Sequence, residues 1–347
     1  MSTVDVVIPC YNYARFLERC VDSVLSQDGV DARVLIIDDC SSDETPDVGT
    51  ELAARHPAVE FRRHEQNQGH IATYNEGLLG WAGGDYSVLL SADDLLTPGA
   101  LGRAVAVMER DPRVAMVYGR PVFFESHENL PAVTQRAKGV AIWAGYDWIA
   151  GRCADGHNVI SSPEVVVRGP VQRAVGGYRP ELPHAGDLEM WLRIAARGHV
   201  AYVRGAPQAY YRVHAGSMQR SQFGSCFADL RQRQAVFDAF FERHGHEVPD
   251  ADRLHELAGK ALAREALWRA CRGYDRNQVA AAQSEELAAF ALDACPTARR
   301  LPEYAALARR RRLGASLCRR TQLFAMSAAA HRARNWLWWA SWRRRGV

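Results

Sequence analysis

Short runs of β-branched and aliphatic residues alternate with amphipathic helical stretches through the first third of the chain, and this alternation constrains the fold most. Val4 to Ile8 reads as a buried strand, and Ala14 to Gln27 places Leu17, Cys20, Val21, Val24 and Leu25 on one helical face. A strand over Arg33 to Ile37 follows, then a helix over Thr45 to Arg55 with Pro46 in its first turn. Strand Val59 to His64, helix Ile71 to Trp81 and strand Tyr86 to Leu90 continue the series. Pro98-Gly99 opens a helix to Arg110, and strand Val114 to Tyr118 closes it. Such alternation predicts a mostly parallel α/β sheet covered by helices on both faces. Ligands of these sheets sit beyond the carboxyl ends of the strands. Further on, strands are expected at Val165 to Arg168, Val200 to Val203 and Ala209 to His214, with a helix from Leu188 to Arg197. From Phe223 the pattern changes to Ala/Leu/Arg-rich helices, broken near His246 to Pro249, Gly273, Pro296 and Gly314.

Composition removes several alternatives. An apolar fraction of 48% and a charged fraction of 24% are those of a globular protein. The eight cysteines are scattered with no C-x-x-C pair, so reduced, buried thiols are expected rather than zinc or disulfides. No G-x-G-x-x-G occurs, which argues against a dinucleotide-dependent dehydrogenase. A start without a basic, apolar leader and the lack of a membrane-length apolar run give a cytoplasmic expectation. The net charge of +3 hides an asymmetry: from Arg299 onward thirteen arginines face one glutamate, while the rest holds 30 basic and 39 acidic side chains. A mildly acidic body carries a strongly basic tail.

Acidic residues recur where strands end. Asp38-Asp39 follows Val34 to Ile37, Asp93-Asp94 follows Ser87 to Ala92, and Asp187 precedes a helix carrying Glu189, Trp191 and Arg193. One such carboxylate can simply cap a helix. Three clusters on one edge repel each other unless a cation or ligand donors neutralise them. A divalent metal, Mn²⁺ or Mg²⁺, with oxygen ligands would do so and would also hold a diphosphate.

Six segments carry a family resemblance, in order, over residues 3 to 220. They are Val4-Asp5-Val6-Val7-Ile8-Pro9-Cys10-Tyr11-Asn12, Ile36 to Thr45, Asn67 to Gly77, Leu90 to Pro98, Gly186 to Arg193, and Tyr211-Arg212-Val213-His214. Together they resemble the family 2 glycosyltransferases, which have the GT-A fold. The resemblance implies an inverting transfer of sugar from a UDP- or dTDP-sugar to a hydroxyl acceptor. It implies that Pro9 shapes the nucleotide loop and Tyr11 lies against the base, while Asp39 accepts from a uracil-type ring N–H. A carboxylate there selects pyrimidines with an imide donor and rejects cytosine. Gly69 would allow close backbone approach, and Asn75 would steady that loop. Asp93 and Asp94 would divide ribose contact and metal ligation, in an order the sequence leaves open. His214 would reach metal or diphosphate, and Arg212 would neutralise the leaving phosphate. Asp187 would be the general base, held ionised by a helix N-terminus. Glu189 would orient acceptor or base, and Trp191 would pack or line the acceptor site. Two departures stand out: Ser91 where the family often has Asp, and Gly186 where it commonly has an acid.

The resemblance gives a catalytic domain over residues 1–222, with a nucleotide half at 1–100 and an acceptor half at 101–222, followed by a helical, Arg-rich extension at 223–347. Trp336, Trp338, Trp339 and Trp342 stand among arginines at the end of that extension. This suits either a segment lying on the anionic inner face of a membrane or a cap packed on the body. Nucleic acid is not an expected partner. Two rivals are weighed. A nucleotidyltransferase would need a Gly-rich phosphate loop and a site lysine, and Lys138 and Lys260 are the only lysines. The other is a non-catalytic nucleotide-sugar- or membrane-binding protein that retains the fold.

Overall fold

A computed structural model describes residues 1–214 and 225–346, apart from the side chain of His127. The boundary expected at residue 222 lies outside the described residues. The chain divides into two compact units. One holds Met1–Trp148 and resumes at Asn158; the other holds Ile149–His157 and the chain after the 215–224 segment.

The first unit is built on an eight-stranded sheet. Its strands are β1 (Thr3–Cys10), β2 (Asp31–Asp38), β3 (Val59–Arg63), β4 (Tyr86–Leu89), β6 (Val114–Tyr118), β8 (Gly139–Trp143), β9 (Val166–Arg168) and β10 (His199–Arg204). They lie in the order β3-β2-β1-β4-β9-β6-β10-β8. β3, β2, β1 and β4 run parallel, β9 enters antiparallel, and β8 closes the far edge antiparallel to β10. A small second sheet joins β5 (Leu95–Leu96), β11 (Ala209–Arg212) and β7 (Pro121–Phe124).

Hydrophobic burial explains the parallel half. Val4, Val6, Val7 and Ile8 of β1 and Val34 to Ile37 of β2 are fully buried on both faces. Helix α1 (Ala14–Leu25) covers the sheet with Leu17, Cys20, Val21 and Val24. Helix α2 (Thr45–Arg55) follows β2, and α4 (Ala100–Arg110) precedes β6. Because β2 and β4 flank β1 on opposite sides, the chain reverses direction of travel at β1, and the strand ends there open a crevice.

The segment read as one helix from Ile71 to Trp81 divides. His70–Asn75 is α-helical (α3), and Glu76–Trp81 widens into a π-helical turn. At Gly77 an added Cβ would lie 2.3 Å from a Val7 methyl, so only glycine lets this turn sit on β1. Between β8 and β10 the chain forms α5 (Gly145–Asp155), α6 (Gly169–Val175) and α7 (Gly186–Arg197). α7 begins two residues earlier than expected, with Ala185 as its cap.

The second unit is helical: α8 (Cys226–His244), α9 (Ala251–Arg276), α10 (Ser284–Ala294), α11 (Pro302–Leu313), α12 (Ala315–Thr321) and α13 (Ala325–Arg345). α9 is its spine, burying Leu254, Ala258, Leu262, Ala266 and Ala270 against α8, α10, α11 and α12. Gly273 does not break α9. The helix runs on to Arg276 and ends at Asn277, whose φ is 55°. Glycine is needed at 273 for packing, since a Cβ there would come within 2.0 Å of Ser284 Oγ. No helix among the described residues is long and apolar enough to cross a membrane.

Candidate active site

Three loops at the carboxyl ends of β1, β2 and β3 are stitched together by carboxylates. Asp38 is buried, accepts from Ser41 N at 3.0 Å and pairs with Arg63 at 3.3 Å. Asn12, at φ 59°, donates its N–H to Ser41 Oγ at 2.8 Å and accepts from Ser42 N at 2.9 Å. Asp39 accepts from Gln68 N at 2.7 Å, from Gly69 N at 2.9 Å, and lies 2.8 Å from His64 Nδ1. The other nitrogen of His64 lies 2.8 Å from Glu76 Oε2. Burial opposes charge on His64, but its bonds to Asp39 and Glu76 outweigh that and hold its pKa above the ordinary value. His64 was not singled out in the sequence, because nothing local links positions 39, 64 and 76. Gly69, at φ 84°, turns its N–H onto Asp39, and Pro9 leads into the loop where Tyr11 stays half exposed.

The loop after β4 carries the acidic pair. Asp93 Oδ2 lies 3.0 Å from His214 Nε2, whose ring also meets the Tyr13 hydroxyl at 3.5 Å. Asp94 Oδ1 accepts from Arg212 N at 2.8 Å. Burial, then the charge of Asp93, pushes the Asp94 carboxyl well above the usual carboxylate range. The Arg212 side chain is a strut. Its guanidinium donates to Asp93 O at 3.0 Å and Glu125 O at 3.1 Å, and its carbon lies 4.2 Å and 4.4 Å from the Phe16 and Phe124 ring centres. Buried in those contacts, it holds the acidic loop against β11 instead of offering a free charge to a phosphate.

Across the crevice, Asp187 stands in the first turn of α7 but does not cap it. Its carboxylate accepts from Ser162 Oγ at 2.5 Å and from the Tyr178 hydroxyl. Burial raises its pKa; those two hydroxyls, and His70 and His184 nearby, oppose the rise. Ser162 has φ 87°, a left-handed value that is costly for a residue with a side chain. The strain aims its hydroxyl at Asp187. Tyr178 is fixed by Asn75, which accepts from Tyr178 N at 2.6 Å and donates to Tyr178 O at 2.8 Å. A Cβ at Gly177 would fall 2.3 Å from Asn75 Oδ1, so the approach requires glycine.

Two expectations are therefore corrected, and for Trp191 the packing alternative holds. Asn75 does not steady the Gly69 loop; it clamps the backbone of Tyr178. Glu189 is fully buried and held by Arg179 at 2.6 Å and Arg193 at 2.8 Å, so it meets no acceptor. Trp191 is 3% exposed and lines a small internal cavity with Ser162, Gln172 and Tyr178. Both lock α7 behind Asp187.

The two sides of the crevice share one electrostatic space. The Tyr74 hydroxyl is raised by burial, then by Asp187, Asp93 and Asp94 in turn, and Tyr211 feels the same three carboxylates. Among the described residues, no three His, Cys, Asp or Glu side chains are gathered as a ready-made metal site.

The sequence model for Glycosyl transferase family 2 matches residues 5–158, which includes the loops after β1, β2, β3 and β4 and stops short of Asp187. Over these residues the chain is similar to the family 2 glycosyl transferases. An uncharacterized glycosyltransferase of Nostoc sp. is 36% identical over 115 residues, 33% of this chain. A chondroitin synthase of Pasteurella multocida is 36% identical over a stretch of the same length. The matched stretches span 35% and 12% of those relatives' own lengths. S. aureus TarS 1–349, solved in complex with UDP-GlcNAc, shares the fold with a TM-score of 0.62 at 14% identity, covering 94% of this chain and 92% of that one. The mannosyltransferase PcManGT of Pyrobaculum calidifontis, in complex with GDP-Man and Mn²⁺, gives 0.53 at 21% identity, covering 94% and 86%. The likeness shows the GT-A fold expected from the motifs.

Proposed function

We propose that this chain transfers a sugar from a UDP- or dTDP-sugar to a hydroxyl acceptor by single displacement with inversion. The observation that carries the reading is the convergence of Asp93, Asp94 and Asp187 on the space beside Tyr74 and Tyr211. A donor diphosphate belongs next to the pair, and an acceptor hydroxyl next to Asp187.

On the donor side, Tyr11 would lie along the base, and Asp39 would present its carboxylate to the ring imide. Asp39 is already fixed by Gln68, Gly69 and His64, so its orientation costs nothing further on binding. On the acceptor side, Asp187 would take the hydroxyl's proton as the oxygen attacks the anomeric carbon. Its hydroxyl partners set its orientation without neutralising it, and its raised pKa makes it a better base than an exposed aspartate.

The residues beside the diphosphate fit a divalent cation of the Mn²⁺ or Mg²⁺ kind. Asp94 is buried with a backbone N–H as its bonded partner, and among the described residues Asp93 has the His214 imidazole against it. Asp93, Asp94 and His214 would hold the ion, with water and diphosphate oxygens completing its shell where Ser91 supplies no carboxylate. A cation bound there offsets charge on the departing nucleoside diphosphate. The catalytic domain on this reading is residues 1–222. The 223–347 extension would give the enzyme a peripheral place on an anionic membrane, since Trp336, Leu337 and Trp339 of α13 are exposed beside Arg343, Arg344 and Arg345.

A thermal-shift panel of UDP, dTDP, GDP and CMP, each with and without Mn²⁺, tests the donor site. At a hundredfold excess over its dissociation constant, a ligand stabilises by about 2.7 kcal/mol. Metal-dependent stabilisation by UDP or dTDP is expected, and its loss in Asp94→Asn. A chain that ignores all four nucleotides is not a transferase of this kind.

A further inference from the structure

The helical unit contains a cleft of about 410 Å³ that the transferase reading does not use. Arg272, Arg276, Arg319 and Arg332 line it, with Asp275 as its single acid, and the glutamines Gln278 and Gln322 stand among them. Asp275 is already committed. It receives Arg310 Nε at 2.8 Å and Arg272 at 3.0 Å. Arg310 is in turn fixed over the Phe324 ring, 3.8 Å from its centre, and reaches Ser327 at 3.4 Å. This wall of the cleft is therefore preorganised and carries a net positive charge of its own.

Arg276, Arg319 and Arg332 are different. All three are exposed, and among the described residues none has an ion pair or a side-chain hydrogen bond. Arg276 and Arg319 sit in the last turns of α9 and α12, where helix carbonyls favour a cation. Arg332 lies in the middle of α13, so no helix end accounts for it. Three uncompensated guanidiniums around one concavity repel each other, and an anion entering it would relieve that repulsion. The guanidinium fork matches phosphate oxygens two at a time, which a surface lysine cannot do. The volume is that of a small-molecule site, larger than a bare phosphate needs, and the two glutamines could bond the hydroxyls of whatever the phosphate esterifies. Phe324, the ring in the lining, has Arg310 across its face, so no stacking platform for a nucleobase is on offer.

We infer that this cleft is a binding site for a phosphate-ester group, held by Arg276, Arg319 and Arg332. The group is carried either by a soluble phosphoester or by a lipid headgroup. The site lies wholly within the helical unit and is separate from the donor-binding crevice.

Calorimetric titration of the full chain with inorganic phosphate and with sn-glycerol 3-phosphate, at constant ionic strength, tests this. The wild type should bind glycerol phosphate. The double variant Arg276→Gln/Arg332→Gln should bind it at least tenfold more weakly. Arg299→Gln/Arg300→Gln removes the same charge elsewhere on the unit, at exposed residues outside the cleft, and should leave binding unchanged. Equal loss in both double variants would reduce the effect to net charge and overturn the site, as would no binding by the wild type at millimolar ligand. UDP stabilisation in each variant reports an intact fold and an independent donor site. Phosphatidylglycerol vesicles that displace the bound glycerol phosphate would assign the group to lipid, and vesicles that leave it in place would assign it to a soluble ester. Either result supports the cleft.

Discussion

Glu164 offers a stability prediction whose size follows from its surroundings. It sits on the loop that presents Ser162 to Asp187 and is 1% exposed. Oε1 accepts from Ser161 N at 2.7 Å, and Oε2 has no partner among the described residues. Burial, with a smaller push from the charge of Asp187, raises its carboxyl from 4.5 to about 8. In the unfolded chain it titrates at its ordinary value, so between these two pH values the native state holds a proton that the unfolded state has released. Stability from this group is complete below the unfolded value and drains away as pH rises toward the folded one, at about 1.4 kcal/mol per pH unit. At pH 7 the fold is weaker by about 3 kcal/mol than it would be with a neutral isostere. Glu164→Gln supplies that isostere. Its amide keeps the Ser161 contact, and the unpartnered N–H₂ replaces an equally unpartnered acid O–H, so those costs cancel to first order. The variant should unfold within about 1 kcal/mol of wild type at pH 5 and be more stable by about 3 kcal/mol at pH 7. Urea unfolding at the two pH values measures the difference directly. A gap that does not change with pH would show that Glu164 is ionised in the native state, and the burial argument would fail.

Two further predictions concern the site and the tail. Asp187→Asn keeps the bonds to Ser162 and Tyr178 in shape but removes the base, and should lower turnover by about 10²–10⁴-fold with little change in UDP affinity. In the wild type, the raised pKa of Asp187 should place the acidic limb of the turnover profile above the ordinary aspartate range, and a limb that persists in Asp187→Asn would assign it to another group. The full chain should sediment with vesicles containing phosphatidylglycerol but not with pure phosphatidylcholine, and Trp336→Ser/Leu337→Ser should release it. Equal sedimentation of variant and wild type would remove α13 from the membrane contact.

The features legible in the sequence are those that repeat locally. β1, β2, β4 and β6 announce themselves because strands buried on both faces are largely apolar runs, and the acids that follow β2 and β4 mark the sheet edge. β7, β8 and α6 were not expected. β8 is a half-exposed edge strand, and α6 is a single short helix after Gly169-Pro170, so neither carries a clear period. Within the site, Asp39, Asp93, Asp94 and Asp187 are visible as residues, but the bonds that fix them join distant positions. Asn75 and Tyr178 are 103 residues apart, and Ser162 and Asp187 are 25 apart. Glu189 looks like a site residue because an acid in a helix's first turn does so until Arg179 and Arg193 are placed against it.

Bonding partners sort the buried carboxylates of the first unit into two kinds. Asp5 has Arg33, Asp38 has Arg63, Asp39 has His64, and Glu189 has Arg179 and Arg193. Each is paired with a cation or an imidazole, and each holds a loop or helix in place. Asp94, Glu164 and Asp187 have backbone N–H groups or hydroxyls as their bonded partners, and all three are pushed above the usual carboxylate range. Burying a carboxylate without a compensating charge weakens a fold, so three in one crevice are a standing cost. That cost is relieved when the missing positive charge arrives. On the proposed reading, the relieving charge for Asp94 would be a cation brought with a diphosphate, and for Asp187 the proton of an attacking hydroxyl. Burial pushes the Glu164 carboxyl up to about 8, so it favours its protonated form near neutral pH. The unpaired acids, with the His214-paired Asp93 beside Asp94, are therefore where chemistry is to be sought, and the other paired acids hold them in position.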